Sequence, residues 1–451
     1  MKVRQDDVET MLGEPKHAIR SLALVLSLSY LVVHLNTFID AYWVTNLGDT
    51  AMSAVSSMNP IYWIVTSVGV GLGVGVSTTI SFHLGKGDVG RTGILASNSI
   101  ILGLLLSIVV TIIVYLMLDP IISFIGVDDI CQECKDYATP MALMSSALIV
   151  NGIVAGLLRS EGSRMKSMIL LILSSGSNML LDPIFIFSLD LEVSGAGYAT
   201  CLGATIASLV GLYWYYSGKM VVKIPRSAIR FDRSASMEVL GVGAPRTAEA
   251  LITGITNVIQ RVFIVAVGAT AGVMLYNLPF RYTTLIVVVA EAIGAAMIPV
   301  CSAARGQNDS KKMKVGIDYS LKLSVMITSI LAILLFIFAE PMAGLFINDL
   351  SMEQYRDELV WIIRLFCILI PFDSMRKVGS CILQVVRKSK LSSEAMLFWA
   401  IVKLLLYWIA STISFEALIY SAVIAYIFGG LMMVYLSYRE VGRSMGRPTE
   451  V

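Results

Sequence analysis

Long apolar stretches separated by short polar connections cover almost the whole chain. Each stretch holds roughly the 20 residues that a helix needs to cross a membrane core of about 30 Å. Because a backbone inside lipid must satisfy its own hydrogen bonds, the stretches are predicted to be transmembrane helices. Twelve are predicted, at 18–43, 51–82, 93–118, 138–158, 167–188, 195–217, 238–267, 273–304, 317–339, 359–386, 395–414 and 417–437.

A polar linker at 218–237 divides the chain into a first lobe, 1–217, and a second lobe, 238–438, with a tail at 439–451. Six helices separate equivalent positions, so both lobes have the same orientation in the membrane. The sequence therefore predicts an all-α integral membrane protein made of two parallel-repeat bundles of six helices. A constant shift of 221 positions relates Ser81, Gly85, Asp88 and Asp128 to Ser302, Gly306, Asp309 and Asp349.

Positive residues favour the cytoplasmic side of a membrane. The connections on one side of the predicted membrane hold most of the loop Lys and Arg residues, whereas those on the other side hold Lys135 and Arg356. We therefore expect a multi-pass protein of the cell membrane with both termini in the cytoplasm. No signal-peptide cleavage site follows the charged N-terminus, so no removable leader is expected.

The composition leaves no room for a soluble catalytic domain. Of 451 residues, 56% are hydrophobic and 15% are charged, against about 25% charged in an average soluble domain. The net charge of +2 is spread along the loops, so nucleic acid is not an expected partner. The three histidines are scattered, so we expect neither an enzyme nor a cofactor. The expected partners are the lipid bilayer and a small organic solute, and the chain is expected to be a monomer.

Two short motifs resemble chemical sites. The glycine run at 69–75 resembles a phosphate-binding loop, but it lies inside an apolar helix, where small residues let helices pack closely. Without a nucleotide site, active transport would have to use an ion gradient. Cys131 and Cys134 have the Cys-x-x-Cys spacing without two further ligands nearby, so a metal or disulfide role stays open against two ordinary loop cysteines.

Acidic residues inside predicted spans are the sharper signal, since each costs at least about 2.5 kcal/mol and such residues mark ion or substrate paths. The first lobe has Asp40 and Asp182, with Asn178 on the same helix face as Asp182 and Pro183 just beyond. Two carboxylates and an amide oxygen suit a proton or a sodium ion. No basic residue is expected to be buried in this lobe to pair with them. The alternative is that each acid only packs with a hydrogen bond.

The second lobe does not repeat this pattern. A shift of 220 takes Asp40 to Gln260, and the stretch at 402–411 lacks an Asn-x-x-x-Asp-Pro element. This lobe instead mixes charges, with Glu249, Glu291 and Asp373 among an excess of basic residues. We predict that these acids face the substrate, against the alternative of structural pairs such as Arg246 with Glu249, or Asp373 with Arg376 or Lys377. An excess of cations would favour anionic or zwitterionic cargo.

Four segments together resemble the multidrug and toxic compound extrusion (MATE) family of the archaeal and bacterial type. They are Phe38-Ile39-Asp40, Leu84-Gly85-Lys86-Gly87-Asp88, Asn178-Met179-Leu180-Leu181-Asp182-Pro183 and Gly195-Ala196-Gly197-Tyr198-Ala199-Thr200. The resemblance implies two six-helix lobes around a V-shaped cleft. It also implies antiport of organic, often cationic or amphipathic, compounds against inward Na⁺ or H⁺.

The resemblance also implies site residues. The cation network would comprise Asp40, Asn178, Asp182 and Thr200, the metal ligands if the ion is Na⁺, joined by Tyr137. Asn151 would line the cleft, and Asp373 after Pro371 would match an acid of the tenth helix. One departure is that archaeal relatives bend the first helix at a proline, whereas 18–43 contains none.

Other readings of the sequence remain. One is a flippase for lipid-linked precursors of the same superfamily, although its lipid II branch carries the basic cluster in the first lobe. Another is a different twelve-helix facilitator superfamily, whose Gly-x-x-x-Asp-Arg connection resembles residues 85–91 except for the Arg after the Asp. The third is a receptor that binds a ligand without moving it.

Overall fold

The computed structural model describes residues 2–125, 128–224, 231–345 and 353–445. Part of the predicted linker, the residue Asp349 and the end of the tail lie outside these ranges. The described chain is helical, with short connections. Its α-helices are α1 Lys2–Leu12, α2 Pro15–Thr45, α3 Asp49–Lys86, α4 Val89–Ile125, α5 Cys131–Leu143, α6 Ser145–Ser160, α7 Arg164–Pro183, α8 Glu192–Tyr216, α9 Arg233–Ala269, α10 Ala271–Gly306, α11 Ser310–Ile337, α12 Ala339–Gly344, α13 Arg356–Val385, α14 Ser389–Ser411 and α15 Phe415–Met445.

The twelve predicted spans each coincide with helix in the structure. Ten helices of the described chain are long and apolar enough to cross a membrane on their own. The fourth span is broken into α5 and α6, which meet at an angle of 50°, with Pro140 inside α5. The tenth span is α13, which is not one of these ten helices and carries Asp373, Arg376 and Lys377 in its interior.

Repeat symmetry is visible in the backbone. Asp88 caps α4 by accepting a hydrogen bond from the Arg91 backbone N–H at 3.0 Å, and Asp309 accepts one from the Lys312 N–H at 2.9 Å. The turn before α3 has a positive φ of 106° at Gly48, and the turn before α10 has a positive φ of 48° at Ala269, 221 positions later. A non-glycine residue in that region is strained, so the turn is imposed by the surrounding packing.

The two lobes meet through a reciprocal contact of α3 and α10. A Cβ on Gly85 would overlap the carbonyl of Ala303, and a Cβ on Gly306 would overlap the carbonyl of Phe82. Both pairs of equivalent positions, 82 with 303 and 85 with 306, are 221 residues apart. The contact therefore has the geometry of a pseudo-two-fold axis between α3 and α10.

The glycine run in α3 is a packing surface, as predicted. A Cβ on Gly73 would overlap the carbonyl oxygen of Gly152 in α6, whereas a Cβ on Gly75 would overlap the backbone around Gly243 in α9. Alternate glycines thus face the two lobes on opposite sides of one helix. Helix α3 can approach both neighbours closely because it presents no side chain there.

Peripheral helices present apolar side chains outward. In α4, Leu105, Ile108, Ile112 and Leu116 are each about half exposed or more. Such a continuous apolar surface suits lipid rather than water. The described chain is therefore a multi-pass membrane bundle.

Candidate functional site

Helices α2 and α7 bring two acids together through two amides. The Asn36 side-chain amide donates hydrogen bonds to Asp40 Oδ2 at 2.9 Å and to Asn178 Oδ1 at 2.7 Å. The Asn178 amide in turn donates to Asp182 Oδ1 at 3.0 Å. We call this series, Asp40–Asn36–Asn178–Asp182, the carboxylate chain.

Three members of the carboxylate chain are buried, Asp40 is partly buried, and some of their oxygens have no hydrogen-bond partner. Asp182 is 1% exposed, and the Asp40 and Asp182 side chains are near enough to interact electrostatically. Two neighbouring carboxylates repel each other when both are ionised, so this arrangement favours a proton or a cation between them. Among the described residues, one oxygen each of Asn36, Asp40 and Asp182 has no hydrogen-bond partner. Buried oxygens without partners are rare and call for a specific explanation.

The backbone after Asp182 leaves the α-helical pattern. Helix α7 ends at Pro183, and a π-helical turn, Ile184–Ser188, follows directly. Proline has no N–H to donate and disturbs the preceding turn, and π-turns are often found at functional sites. The irregular turn therefore begins immediately after the second acid.

Tyr137 lies at the carboxylate chain, whereas two other predicted residues do not bond to it. Tyr137 is close enough to Asp40 and Asp182 to interact electrostatically with both. The Thr200 hydroxyl donates to the Ala196 carbonyl at 3.0 Å within α8. Asn151 donates to Ser174 Oγ at 3.3 Å, between α6 and α7.

A buried arginine corrects one expectation. Arg159 is buried at the end of α6, so the expectation that this lobe buries no basic residue is wrong. It lies beside the close approach of α3 and α6, near Gly73. Among the ion pairs of the described residues, none joins an arginine or lysine to Asp40 or Asp182.

Sequence reasoning missed Asn36 and Tyr62. Asn36 precedes Asp40 by four residues, the same spacing as Asn178 and Asp182, so the repeated Asn-x-x-x-Asp pattern was a usable signal. Tyr62 in α3 interacts electrostatically with Asp40. Its sequence context gives no comparable signal, because tyrosines are common in membrane helices.

The acids of the second lobe are paired with bases. Glu249 accepts hydrogen bonds from Arg246 and from Ser380 Oγ, each at 2.7 Å. Asp373 pairs with Arg376 at 2.5 Å, which resolves the choice left open between Arg376 and Lys377.

Lys377 of α13 pairs instead with Glu291 of α10. The Glu291 side chain is 40% exposed and so is accessible to a solute, whereas Glu249 and Asp373 are buried. His34 of α2 lies close enough to interact with both members of this pair across the two lobes. Of the three predicted substrate-facing acids, Glu291 is therefore the one that a cleft could expose.

A second polar cluster joins the lobes at the end of the bundle that carries both termini. Glu238, near the start of α9, accepts from His83 Nε2 at 2.9 Å and from Arg387 Nη2 at 2.9 Å, and Arg91 Nη2 lies 3.6 Å from it. The Arg387 guanidinium also lies over the Phe82 ring, 4.3 Å from its centroid. We call the set His83, Arg91, Glu238 and Arg387 the terminal-end cluster.

Another buried acid holds a connection at the same end. Glu161, between α6 and α7, accepts hydrogen bonds from the backbone N–H groups of Val221 and Val222 at 2.7 and 3.1 Å. Burial raises the pKa of Glu161 to about 7, although the two backbone donors act in the opposite direction.

Cys131 and Cys134 lie in the first turn of α5, and both thiols are free. Within the described ranges, no group of three or more His, Cys, Asp or Glu side chains is arranged to hold a metal ion.

The MatE family model matches the chain twice, at residues 26–184 and 248–409. The two matches begin 222 positions apart and end 225 positions apart. Multidrug export protein MepA of Staphylococcus saprophyticus is 26% identical over 313 residues, covering 69% of each chain. A protein named FAD transporter from Shewanella oneidensis is 24% identical over 318 residues, covering 69% of this chain and 70% of that one.

A solved structure described as the outward-facing conformation of a multidrug resistance MATE family transporter has the same fold. Its TM-score is 0.92 at 24% identity, and the match covers 98% of this chain and 99% of that one. At 24% identity, this similarity supports a shared twelve-helix fold.

Proposed function

Because this chain belongs to the MatE family of membrane transporters, we propose that it exports small organic, amphipathic compounds in exchange for Na⁺ or H⁺ bound at the carboxylate chain. The observation that carries the proposal is the series of hydrogen bonds from Asp40 through Asn36 and Asn178 to Asp182, which leaves one oxygen of each acid without a partner. A transporter of this family is not an enzyme.

A cation suits the carboxylate chain for electrostatic reasons. Two carboxylates in contact repel each other when both are ionised, and a proton or Na⁺ removes that repulsion. If the ion is Na⁺, oxygens of Asp40, Asn178, Asp182 and Thr200 would hold it. The same oxygens serve either ion, so both remain in the proposal.

Helix α2 connects the carboxylate chain to the second lobe. Asn36 and Asp40 lie in its second half, while Leu22 and Leu26 near its start pack against Ala292 and Ile293 of α10. Binding of a cation draws α2 toward α7, and its release lets α2 move relative to α10. Because α2 is one continuous helix with proline only at its first position, we infer that it tilts as a unit rather than bending at a proline.

The driving force is adequate for export. One unit charge crossing 100 mV supplies about 2.3 kcal/mol. At 1.4 kcal/mol for each factor of ten, this supports roughly fortyfold accumulation. We place the terminal end in the cytoplasm and the protein in the cell membrane as a monomer. The terminal-end cluster then closes the cytoplasmic side, which supports an outward-facing arrangement.

Glu291 and Lys377 are the residues that we propose to meet the solute. They are partly exposed and carry both signs of charge, which suits zwitterionic or anionic amphipathic compounds. Two similar proteins are named as a multidrug exporter and an FAD transporter, which supports an organic solute. Asn151, Glu249 and Asp373 would then shape the cavity wall without offering a free charge.

The test is dye efflux from sealed proteoliposomes, with Na⁺ and pH gradients imposed separately. We expect one gradient to drive efflux, and Asp40→Asn and Asp182→Asn each to abolish it while the protein stays folded. Asp49→Asn, at the start of α3, is the matched control. Normal gradient-driven efflux by Asp40→Asn would reject the assignment, and ligand binding without flux would favour a receptor.

A further inference from the structure

The second lobe contains a structural counterpart of the carboxylate chain. The backbone conformation shows which residues of the two lobes are equivalent. Gly162 before α7 and Arg387 before α14 both have positive φ, 66° and 58°, and are 225 positions apart. In this part of the repeat the shift is therefore 225, as at the ends of the two family matches. It takes Asn178 to Lys403 and Asp182 to Tyr407.

The other half of the counterpart lies on α9. A shift of 220 takes Asn36 to Thr256 and Asp40 to Gln260, and both of these side chains are buried on one face of α9. The Tyr407 hydroxyl bonds to the Tyr276 hydroxyl at 2.8 Å, and Gln260 lies beside Tyr276. The second lobe thus keeps a buried polar site in which neither acid has an acidic equivalent.

A lysine occupies this counterpart site. Lys403 is 1% exposed, and its ammonium lies 5.2, 5.6 and 5.0 Å from the ring centroids of Trp399, Tyr407 and Tyr426. Aromatic faces attract a desolvated cation. The first lobe therefore has two acids without a basic partner, and the second lobe has a cation held by aromatic rings.

An acid that interacts electrostatically with Lys403 is already bonded to another cation. Asp373 is bonded to Arg376, and the Arg376 guanidinium lies 4.5 Å from the Trp399 ring centroid on the same cluster. The cluster therefore holds two cations, of which Arg376 is bonded to the carboxylate. A charge buried without a full counterion is expensive, so packing alone is a poor reason for a lysine at this position.

We propose that the Lys403 ammonium is a covalently tethered cation that takes the place, in the second lobe, of the exchangeable ion of the first. This inference rests on the proposed function of the carboxylate chain. A tethered cation cannot diffuse out of its site, so the second lobe is expected to keep one packing state through the transport cycle. The rearrangement driven by the ion is then confined to the first lobe.

Chemical replacement of the side chain tests the tether. Lys403→Ala removes three methylenes and the ammonium, which together match n-propylammonium. We expect the purified variant to unfold at a lower temperature than the wild type, and added propylammonium to raise that temperature while 1-propanol does not. The matched control is Lys390→Ala, an exposed lysine of the same helix, which neither compound should affect. Equal protection by propanol, or protection by neither compound, would overturn the proposal.

Transport supplies a second readout. Lys403→Met keeps an unbranched side chain only one atom shorter and removes its charge. We expect gradient-driven efflux at least about tenfold below that of the wild type, a difference of 1.4 kcal/mol. Efflux by this variant at the wild-type rate would overturn the proposal that Lys403 is a tethered cation. The two proposals can fail separately. Normal efflux by Asp40→Asn would reject the first-lobe proposal, whereas the effect of propylammonium on the unfolding temperature of Lys403→Ala is measured without transport.

Discussion

The terminal-end cluster predicts that one carboxylate controls how the lobes separate at that end. Glu238 accepts from two bases at 2.9 Å and lies 3.6 Å from a third, and its side chain is 19% exposed. Breaking an exposed ion pair costs up to about 1 kcal/mol, and breaking a buried one costs about 3–5 kcal/mol. For partly buried pairs such as these, we expect a cost between the two. We take about 2 kcal/mol as the effect of Glu238→Gln. This corresponds to roughly a thirtyfold shift toward lobe separation.

Distances between spin labels would measure this shift. Labels at Lys86 and Lys388, placed by cysteine substitution in a background without the six native cysteines, report on the two lobes at this end. We expect Glu238→Gln to enlarge the population with a long distance between labels, and high salt to enlarge it in the wild type.

The control is Glu394→Gln, which removes an exposed pair with Lys390 at 3.9 Å and should leave the distances unchanged. A distance distribution for Glu238→Gln that matches the wild type at low salt would refute the reasoning. The backbone contact of α3 with α10 would then hold this end by itself.

Three further outcomes are expected. Asn36→Ala removes the amide that bridges the two acids and should reduce gradient-driven efflux at least about tenfold, whereas Thr37→Ala, whose exposed hydroxyl bonds within α2, should not. Gly73→Ala forces a Cβ into backbone and should cost about 1–3 kcal/mol in thermal unfolding, while Gly241→Ala, with nothing within 4 Å, should not destabilise. The raised pKa of Glu161 means that the native state binds the carboxyl proton more tightly than the unfolded state. The contribution of Glu161 to stability is therefore full below about pH 4.5 and is lost as pH rises through about 7. Glu161→Gln should reduce the pH dependence of the thermal unfolding temperature, and an unchanged pH dependence would contradict this reasoning.

The sequence by itself determined the helices, the repeat and the two acids. Lipid forces a long apolar backbone into helix, so the length of each run fixed its structure. The energetic cost of Asp40 and Asp182 in a span marked them without any knowledge of their neighbours. Asp88 and Asp309, 221 positions apart, revealed the repeat in the sequence. They could do so because a helix cap depends only on residues near it in the chain.

Only the tertiary structure decided the contacts between helices. The meeting of Asn36 with Asn178 depends on how α2 and α7 approach, and the pairing of Lys377 with Glu291 rather than Asp373 depends on the distance between α13 and α10. The positive φ at both Gly162 and Arg387 marks a repeat shift of 225 in this part of the chain, which makes Lys403 the equivalent of Asn178. A sequence records which residues can bond within one helix, whereas partners on different helices are selected by packing that involves the whole bundle.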